Sequence, residues 1–178
     1  MLETKDDLRF PVGRAVIEPN PTEVQRLGWI QILEELPERM RLAVAPLADE
    51  QLDTPYRPDG WTIRQVLHHV PDSHMNAYIR FCLALTEDVP RICPYDQDAW
   101  AQLPYSRTAP VNISLLILES VHARWTTMMK QLEPAQWRRA FDHPENGIQT
   151  LDDQLQIYAW HSRHHLAHVM RTIERSGW

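Results

Sequence analysis

The sequence is poor in cysteine and glycine, with two and five residues respectively among 178. Cys82 and Cys93 form no C-x-x-C pair, so neither a cysteine metal site nor a disulfide framework is expected. Glycine-rich phosphate loops and a G-x-S-x-G nucleophile elbow are also missing. The sequence signals of P-loop NTPases and α/β-hydrolases are therefore absent.

Long apolar runs and an excess of positive charge are missing as well. No stretch approaches the roughly 18 apolar residues that a membrane helix requires, and Met1–Asp7 is charged where a signal peptide is apolar. Lys and Arg number 18 against 24 Asp and Glu, which gives a net charge of −6, whereas nucleic-acid-binding domains usually carry a basic face. We therefore expect a cytoplasmic protein that binds neither membranes nor nucleic acid.

Helical periodicity is what the sequence does contain, in four segments. Three segments begin at a threonine followed three residues later by Gln or Asp, which resembles the capping box of a helix N-terminus. These pairs are Thr22 with Gln25, Thr62 with Gln65, and Thr150 with Asp153. In the other segment, residues 114–132, apolar residues recur every three or four positions, and His122 beside them is expected to be buried and hydrogen-bonded rather than a metal ligand. Together the segments predict an all-α four-helix bundle.

The remaining stretches complete a single predicted domain of residues 1–178. Residues 1–20 predict an extended N-terminal arm, and Pro37 should bend the first helix without ending it. Residues 87–112 form a long crossover connection that is compatible with a lid and equally with packed structure between helices. The sequence around Asn146-Gly147 predicts a small, tight hairpin before the last helix.

Four of the nine histidines fall in the last helical segment. His161, His164, His165 and His168 lie on one face of a helix, where two imidazoles one turn apart can point at a common atom. A neutral imidazole binds zinc, nickel or iron(II) well. Solvent-exposed histidines are the ordinary alternative, but four on one face beside Trp160 favour a metal site.

Such a site needs a third ligand from elsewhere in the chain. The available histidines are His68, His69, His74, His122 and His143. His69 is the preferred ligand, because Ser73, Asn76 and Arg80 follow it along one polar flank of the second predicted helix. This flank is either a solvated face or the lining of a pocket. His68 is expected to point towards solvent.

Several motifs resemble the DinB/YfiT-like proteins. They are Gln51–Arg57, Trp61–His69, Asp72–Phe81, His122–Trp125 and Trp160–His168. The similarity covers nearly the whole chain and is greatest to the YfiT branch, the group of bacillithiol transferases and metal-dependent hydrolases. The resemblance implies a four-helix bundle that binds one divalent ion per subunit, zinc or nickel, through one histidine of the second helix and two of the last. In this sequence those ligands are His69, His161 and His165.

The resemblance leaves other residues with supporting roles. His164 and His168 are expected to orient ligands, transfer protons or stabilise the structure. One departure from the family is Pro71, where the family more often has alanine, so that a proline stands close to His69.

Two related chemistries are implied by the resemblance. In the preferred one, the ion activates a low-molecular-weight thiol such as bacillithiol for S-transfer to an electrophile. In the alternative, it activates water for hydrolysis. Ser73, Asn76 and Arg80 would orient a polar small-molecule substrate. A non-catalytic metal-binding stress protein is the third reading, and the relatives imply a homodimer.

Overall fold

The computed structural model describes residues 8–178, so Met1–Asp7 lies outside the described residues. The helices are, in chain order, α1 (Glu23–Val44), α2 (Asp49–Leu52), α3 (Ile63–Thr86), α4 (Gln97–Ala101), α5 (Pro104–Thr108), α6 (Asn112–Met129) and α7 (Leu151–Ser176). Before α7 come a 3₁₀ turn (Gln136–Arg138) and two strands, β1 (Ala140–His143) and β2 (Gly147–Thr150).

The four long helices, α1, α3, α6 and α7, form the bundle. α1 packs against α6 and α7, and α3 packs against the same two helices. α1 and α3 therefore lie at opposite corners, although no other long helix separates them in the chain. This arrangement confirms the predicted all-α four-helix bundle, with the connection from α3 to α6 as its crossover. In residues 8–178, no helix combines the length and the apolar character needed to cross a membrane.

The helix starts follow from the capping residues in the sequence. At Thr22, Thr62 and Thr150 the threonine side chain accepts a hydrogen bond from the backbone N–H three residues later. The side chain at that later position accepts a bond from the threonine N–H in return, which satisfies two donors that a helix N-terminus otherwise leaves open. α7 ends at Gly177, whose φ of 73° belongs to the left-handed region that glycine adopts readily.

Two prolines lie inside long helices. Pro37 in α1 and Pro71 in α3 have no N–H, so each leaves the carbonyl four residues earlier without its usual donor. In α1 this carbonyl belongs to Leu33, and the Nδ1 atom of His122 on α6 lies 2.5 Å from it. α1 continues past its proline, as the sequence predicts, and the proline makes a backbone acceptor available to a neighbouring helix.

The bundle interior consists of two apolar clusters with a polar layer between them. The first cluster includes Ile30, Leu33, Ala77, Phe81, Trp125, Met129, Leu155 and Tyr158. The second includes Leu36, Met40, Ile63, Val66, Val70, Leu118, Leu166 and Val169. His74 and His122 are almost fully buried at the junction, each between a residue of one cluster and a residue of the other along its own helix. The polar layer thus crosses the bundle at mid-height.

The long connection between α3 and α6 is packed structure. Gln65 of α3 donates from Nε2 to the carbonyl of Ala101 at 2.7 Å, and Ser106 is buried with its hydroxyl donating to the Trp100 carbonyl. Its first part pairs with β1 through the backbone of Asp142. α4 and α5 within it are too short to have shown helical periodicity in the sequence.

The segment before α1 is extended and lies along α7. Between residues 10 and 22 it forms neither helix nor strand. The Gln156 side chain bonds both backbone groups of Glu18, and the indole nitrogen of Trp160 donates to the carbonyl of Gly13 at 3.0 Å. These contacts hold the arm against the helix that carries the histidine cluster.

The hairpin before α7 is antiparallel, with His143 opposite Gly147. Its loop contains the three residues 144–146, so the small hairpin predicted around Asn146-Gly147 is present, but Gly147 does not lie in the loop. Gly147 instead takes the first position of β2 with a φ of +73°, which suits glycine because it has no Cβ.

Candidate metal centre

Three histidines converge where α3 and α7 pack together. His69 of α3 and His161 and His165 of α7 each offer one ring nitrogen, and these nitrogens all lie within 4.8 Å of one another. The Nε2 atoms of His69 and His161 are 3.3 Å apart. His161 and His165 are one turn apart on α7, and the packing of α3 against α7 brings His69 to the same point.

The spacing of His69 and His161 fits a divalent ion. A tetrahedral ion with bonds of about 2.0–2.1 Å to nitrogen separates its ligand atoms by about 3.3–3.4 Å. The observed 3.3 Å between the two Nε2 atoms of His69 and His161 has this value. Three imidazoles leave a tetrahedral ion one further position for a substrate or water, as in catalytic zinc sites.

Burial keeps the three imidazoles neutral. It lowers the pKa of His69 to about 3, and it lowers the pKa values of His161 and His165 well below their ordinary value. Neighbouring imidazoles add to the effect, because a second positive charge nearby would be repelled. Since imidazole must be neutral to bind a metal, all three rings are ready to do so at neutral pH.

Two further histidines extend the centre into the bundle interior. His74 Nε2 lies 3.0 Å from His161 Nδ1, and His74 Nδ1 lies 2.8 Å from His122 Nε2. His122 Nδ1 in turn reaches the carbonyl of Leu33. Sequence reasoning correctly predicted that His122 is buried and hydrogen-bonded, but it assigned no role to His74. The sequence did contain one signal of a buried donor near α1: Pro37 leaves the Leu33 carbonyl without a donor from its own helix, so another group must bond it.

The other two histidines of α7 lie beside the ligand candidates. His164 stacks on Trp160, with ring centroids 4.4 Å apart. Among the described residues its buried Nδ1 has no hydrogen-bond partner. His168 stacks on Tyr56 at 3.9 Å, its Nδ1 lies 3.4 Å from His165 Nδ1, and its Nε2 lies 3.2 Å from the carbonyl of Arg9. His164, His165 and His168 also form a second group of ring nitrogens within 4.8 Å of one another.

A cavity of about 480 Å³ opens directly over the histidines. Its walls combine aromatic rings, two guanidinium groups and two carboxylates with the imidazoles already described. The residues other than histidine are Arg9, Phe10, Tyr56, Arg57, Asp59, Trp61, Gln97, Asp98 and Trp160. Among the described residues, Arg57 lines the cavity and its buried Nε has no hydrogen-bond partner. The connection between α3 and α6 contributes Gln97 and Asp98 to one wall.

The polar residues predicted along α3 do not line this cavity. Ser73 contacts Tyr158, with 3.3 Å between the two hydroxyl oxygens, and the Asn76 amide donates to the Asp72 carbonyl of its own helix. Arg80 is buried further along the helix and is likewise absent from the cavity wall. α3 therefore presents His69 to the cavity and turns its later polar residues elsewhere.

The expectation for His68 is wrong. Its side chain is only 1% exposed, and its Nδ1 lies 2.7 Å from the Ser114 hydroxyl on α6. Its Nε2 also lies 3.3 Å from the carbonyl of Ala109. The side expected to face solvent is covered by α6 and by the segment that precedes it. His68 nevertheless points away from the other three rings, so its exclusion from the ligand candidates agrees with the structure.

The fold and the convergent rings define a four-helix bundle with a histidine-lined candidate metal centre. A sequence model of the DinB superfamily matches residues 32–169. This range includes most of the bundle and all the ring pairs described above, and the chain belongs to the DinB superfamily.

Two curated relatives are similar over almost their full length. One is "Putative metal-dependent hydrolase YfiT" from Bacillus subtilis (strain 168), which is 47% identical over 176 residues, 98% of this chain and 99% of the relative. Another, also named a "putative metal-dependent hydrolase", is from Bacillus mycoides (strain KBAB4) and is 49% identical over 172 residues, with 97% and 99% covered.

The solved structure of YfiT from Bacillus subtilis is similar throughout. It matches with a TM-score of 0.94 and 47% identity over 97% of this chain and 99% of that chain. That protein is described as "a probable metal-dependent hydrolase with an unusual four-helix bundle topology".

Proposed function

We propose that this protein is a divalent-metal-dependent enzyme that uses one zinc or nickel ion per subunit to hydrolyse a small-molecule substrate. The observation that carries the proposal is the convergence of three neutral imidazoles, His69, His161 and His165, at the floor of an open cavity. The names of the Bacillus relatives support hydrolysis. A bound ion would lower the pKa of a water or thiol in its open position and polarise a substrate carbonyl.

The cavity residues have separate parts in this proposal. His164 lies on the cavity wall, its Nδ1 has no hydrogen-bond partner among the described residues, and in this proposal it accepts a proton from the attacking nucleophile. Arg57 lines the cavity, and its guanidinium group donates to a polar group of the substrate. Trp61 and Trp160 form apolar walls that exclude water from the reacting atoms.

Thiol S-transfer is the second candidate function. A volume of about 480 Å³ accommodates a thiol cosubstrate beside an electrophile, whereas hydrolysis needs room for a water and one substrate only. Two guanidinium groups, of Arg9 and Arg57, stand on the wall to bind the polar substituents of such a thiol. In this reaction the thiol sulfur forms a bond to the electrophilic carbon, the leaving group departs, and His164 takes the thiol proton.

One experiment separates the two functions. Purified protein is analysed for metal, loaded with zinc or nickel, and assayed on a panel of esters and amides without thiol and with bacillithiol, mycothiol, glutathione or cysteine. Hydrolysis that proceeds without thiol and is inhibited by added thiol supports the first function. Turnover that requires one thiol and consumes it stoichiometrically supports the second.

The cobalt-substituted protein supplies the matching binding measurement. A thiolate that enters the open position gives strong charge-transfer absorption, whereas water does not. His165→Ala protein is the control, because it lacks a ligand. A spectrum that no thiol or substrate changes, together with no turnover, would support the non-catalytic metal-binding reading instead.

A further inference from the structure

One hydrogen-bond chain ends at the backbone carbonyl of Leu33. A carbonyl oxygen can only accept, so the Nδ1 atom of His122, 2.5 Å away, must donate. Pro37 supports this bond, because it cannot supply the N–H that this carbonyl would normally bind. Burial lowers the pKa of His122 to about 4, so the ring is neutral and its Nε2 carries a lone pair.

The proton positions along the rest of this chain follow from that end. Since His122 Nε2 accepts, His74 donates to it from Nδ1 across 2.8 Å and is left with Nε2 as an acceptor. His161 then donates from Nδ1 to His74 Nε2 across 3.0 Å. The proton of His161 is therefore on Nδ1, and its Nε2 lone pair faces His69. For neutral rings, the assignment follows from the donor and acceptor capacities of the atoms along the chain.

A second chain leads to the other α7 ligand by the same logic. The carbonyl of Arg9 accepts, so His168 donates from Nε2 across 3.2 Å and keeps Nδ1 as an acceptor. His165 then donates from Nδ1 to His168 Nδ1 across 3.4 Å, and its Nε2 is left with the lone pair. Arg9 belongs to the segment before α1, which lies along α7.

We infer that these two imidazole chains, each ending on a backbone carbonyl, fix the tautomers of His161 and His165 so that both present Nε2 to the metal. The inference rests on the metal site proposed above. His74, His122 and His168 are then positioning residues. In the opposite tautomer, Nε2 would carry a hydrogen and could not bind, so removing a chain makes metal binding compete with tautomer exchange and ring rotation.

The tautomers can be measured directly in the wild-type, metal-free protein. Two-dimensional NMR of protein with ¹⁵N-labelled histidine rings distinguishes a protonated Nδ1 from a protonated Nε2. We expect a protonated Nδ1 and an unprotonated Nε2 in both His161 and His165. A proton on Nε2 of either ring would overturn the inference for that ring. This measurement needs neither activity nor metal, so it stays valid even if the proposed enzymatic function is wrong.

Variants test whether each imidazole chain controls the affinity for the metal. His122→Leu removes both ring nitrogens at a position that touches no metal ligand, and we expect about a 10-fold weaker zinc affinity, at the lower end of the 10–100-fold range for partners of metal ligands. The NMR pattern of His161 should change, whereas that of His165 should not. His168→Leu should have the converse effect on the two rings. Zinc affinity is measured by competition with a chromophoric chelator.

The matched control is His68→Leu. His68 is as buried as His122 and is hydrogen-bonded to α6, but it belongs to neither chain. Its replacement should reduce stability and leave zinc affinity within twofold of wild type. His122→Gln should restore most of the affinity, because an amide carries both a donor for the Leu33 carbonyl and an acceptor for His74.

Three outcomes would contradict the inference. One is equal loss of affinity in His122→Leu and His68→Leu, which would indicate general destabilisation. Another is an unchanged His161 pattern in folded His122→Leu protein. The last is binding of two zinc ions per chain with His165 Nδ1 as a ligand, because that nitrogen would then carry no proton for His168.

Discussion

At the scale of single residues, the contact of the second ring nitrogen distinguishes the buried histidines. His161 and His165 each have one nitrogen against another histidine, and both residues belong to the candidate centre. His68 has both nitrogens occupied by Ser114 and a carbonyl. His164 alone of these four has a buried nitrogen without a partner among the described residues. Of these four residues, His164 is therefore the one with a ring nitrogen left to bond another group.

Metal binding should depend on three side chains. We expect His69→Ala, His161→Ala and His165→Ala each to lose most of the bound metal, because two imidazoles cannot hold the ion as the three together do. His68→Ala is the control and should retain a full equivalent. Metal content is measured by mass spectrometry after dialysis against a weak chelator. Retention of metal without His165 but not without His68 would refute the ligand assignment.

His164 should contribute to turnover without contributing to affinity for the metal. We expect His164→Leu to keep its metal and to lower kcat by about 10²–10⁴-fold, the usual contribution of a general base. The physical reason is that His164 lines the cavity and no other hydrogen bond occupies its Nδ1 among the described residues. Metal content and steady-state kinetics are measured on the same preparation. An unchanged kcat would assign the proton to another group.

At the scale of elements, helix boundaries were predictable because they depend on residues three positions apart. The capping pairs at Thr22, Thr62 and Thr150 gave the starts of α1, α3 and α7 to within a residue. α4 and α5 were not predictable, because helices of five residues have no apolar period to recognise.

Contacts between elements explain what sequence reasoning could not find at the site. Spacing within α7 placed His161 and His165 together, but the relation of His74 to His122 depends on how α3 packs against α6. The wrong expectation for His68 has the same origin, since the helical wheel of α3 does not show that α6 covers it. The packing of α3 also determines that the flank with Arg80 does not face the cavity, which its sequence alone does not show.

The capping interaction of α7 should make a measurable contribution to stability. Thr150→Ala removes the oxygen that accepts from the Asp153 N–H and should lower the free energy of unfolding by about 1 kcal/mol. Thr127→Ala is the control, because Thr127 is exposed in the interior of α6 and its loss should change the free energy by less than about 0.5 kcal/mol. Both are measured by urea denaturation. Equal effects would show that capping is not the cause.

At the scale of the whole molecule, an exposed apolar face on α6 supports the homodimer implied by the sequence resemblance. Ile113, Leu116 and Ile117 are 48%, 60% and 43% exposed and lie one turn apart. We propose that a second copy of the chain covers this face. Sedimentation should show a dimer at micromolar concentration that Leu116→Glu converts to a monomer. Val24→Glu, at the opposite end of the bundle, should remain dimeric. A wild-type monomer would exclude the proposal.

The buried histidines together determine how the stability of the whole metal-free protein depends on pH. Burial lowers the pKa of His69 and His168 to about 3 and of His122 and His164 to about 4, whereas the unfolded chain titrates near about 6.5. Below pH 6.5 the unfolded state therefore binds protons that the native state does not. The stabilisation is complete above pH 6.5 and is lost as the pH falls from 6.5 towards the folded values.

Acid should consequently unfold the metal-free protein before its carboxylates titrate. Each histidine that stays neutral contributes up to about 1.4 kcal/mol per pH unit in this window, so we expect a loss of about 3 kcal/mol or more between pH 7 and pH 5. Urea denaturation in the presence of a chelator measures the free energy of unfolding at each pH. In His122→Gln protein the free energy of unfolding should depend less steeply on pH, by the equivalent of up to one proton, because the amide does not titrate. A free energy that is constant from pH 7 to pH 5 would mean that the buried rings become protonated without unfolding, and the neutral imidazoles that metal binding requires would then be absent in mild acid.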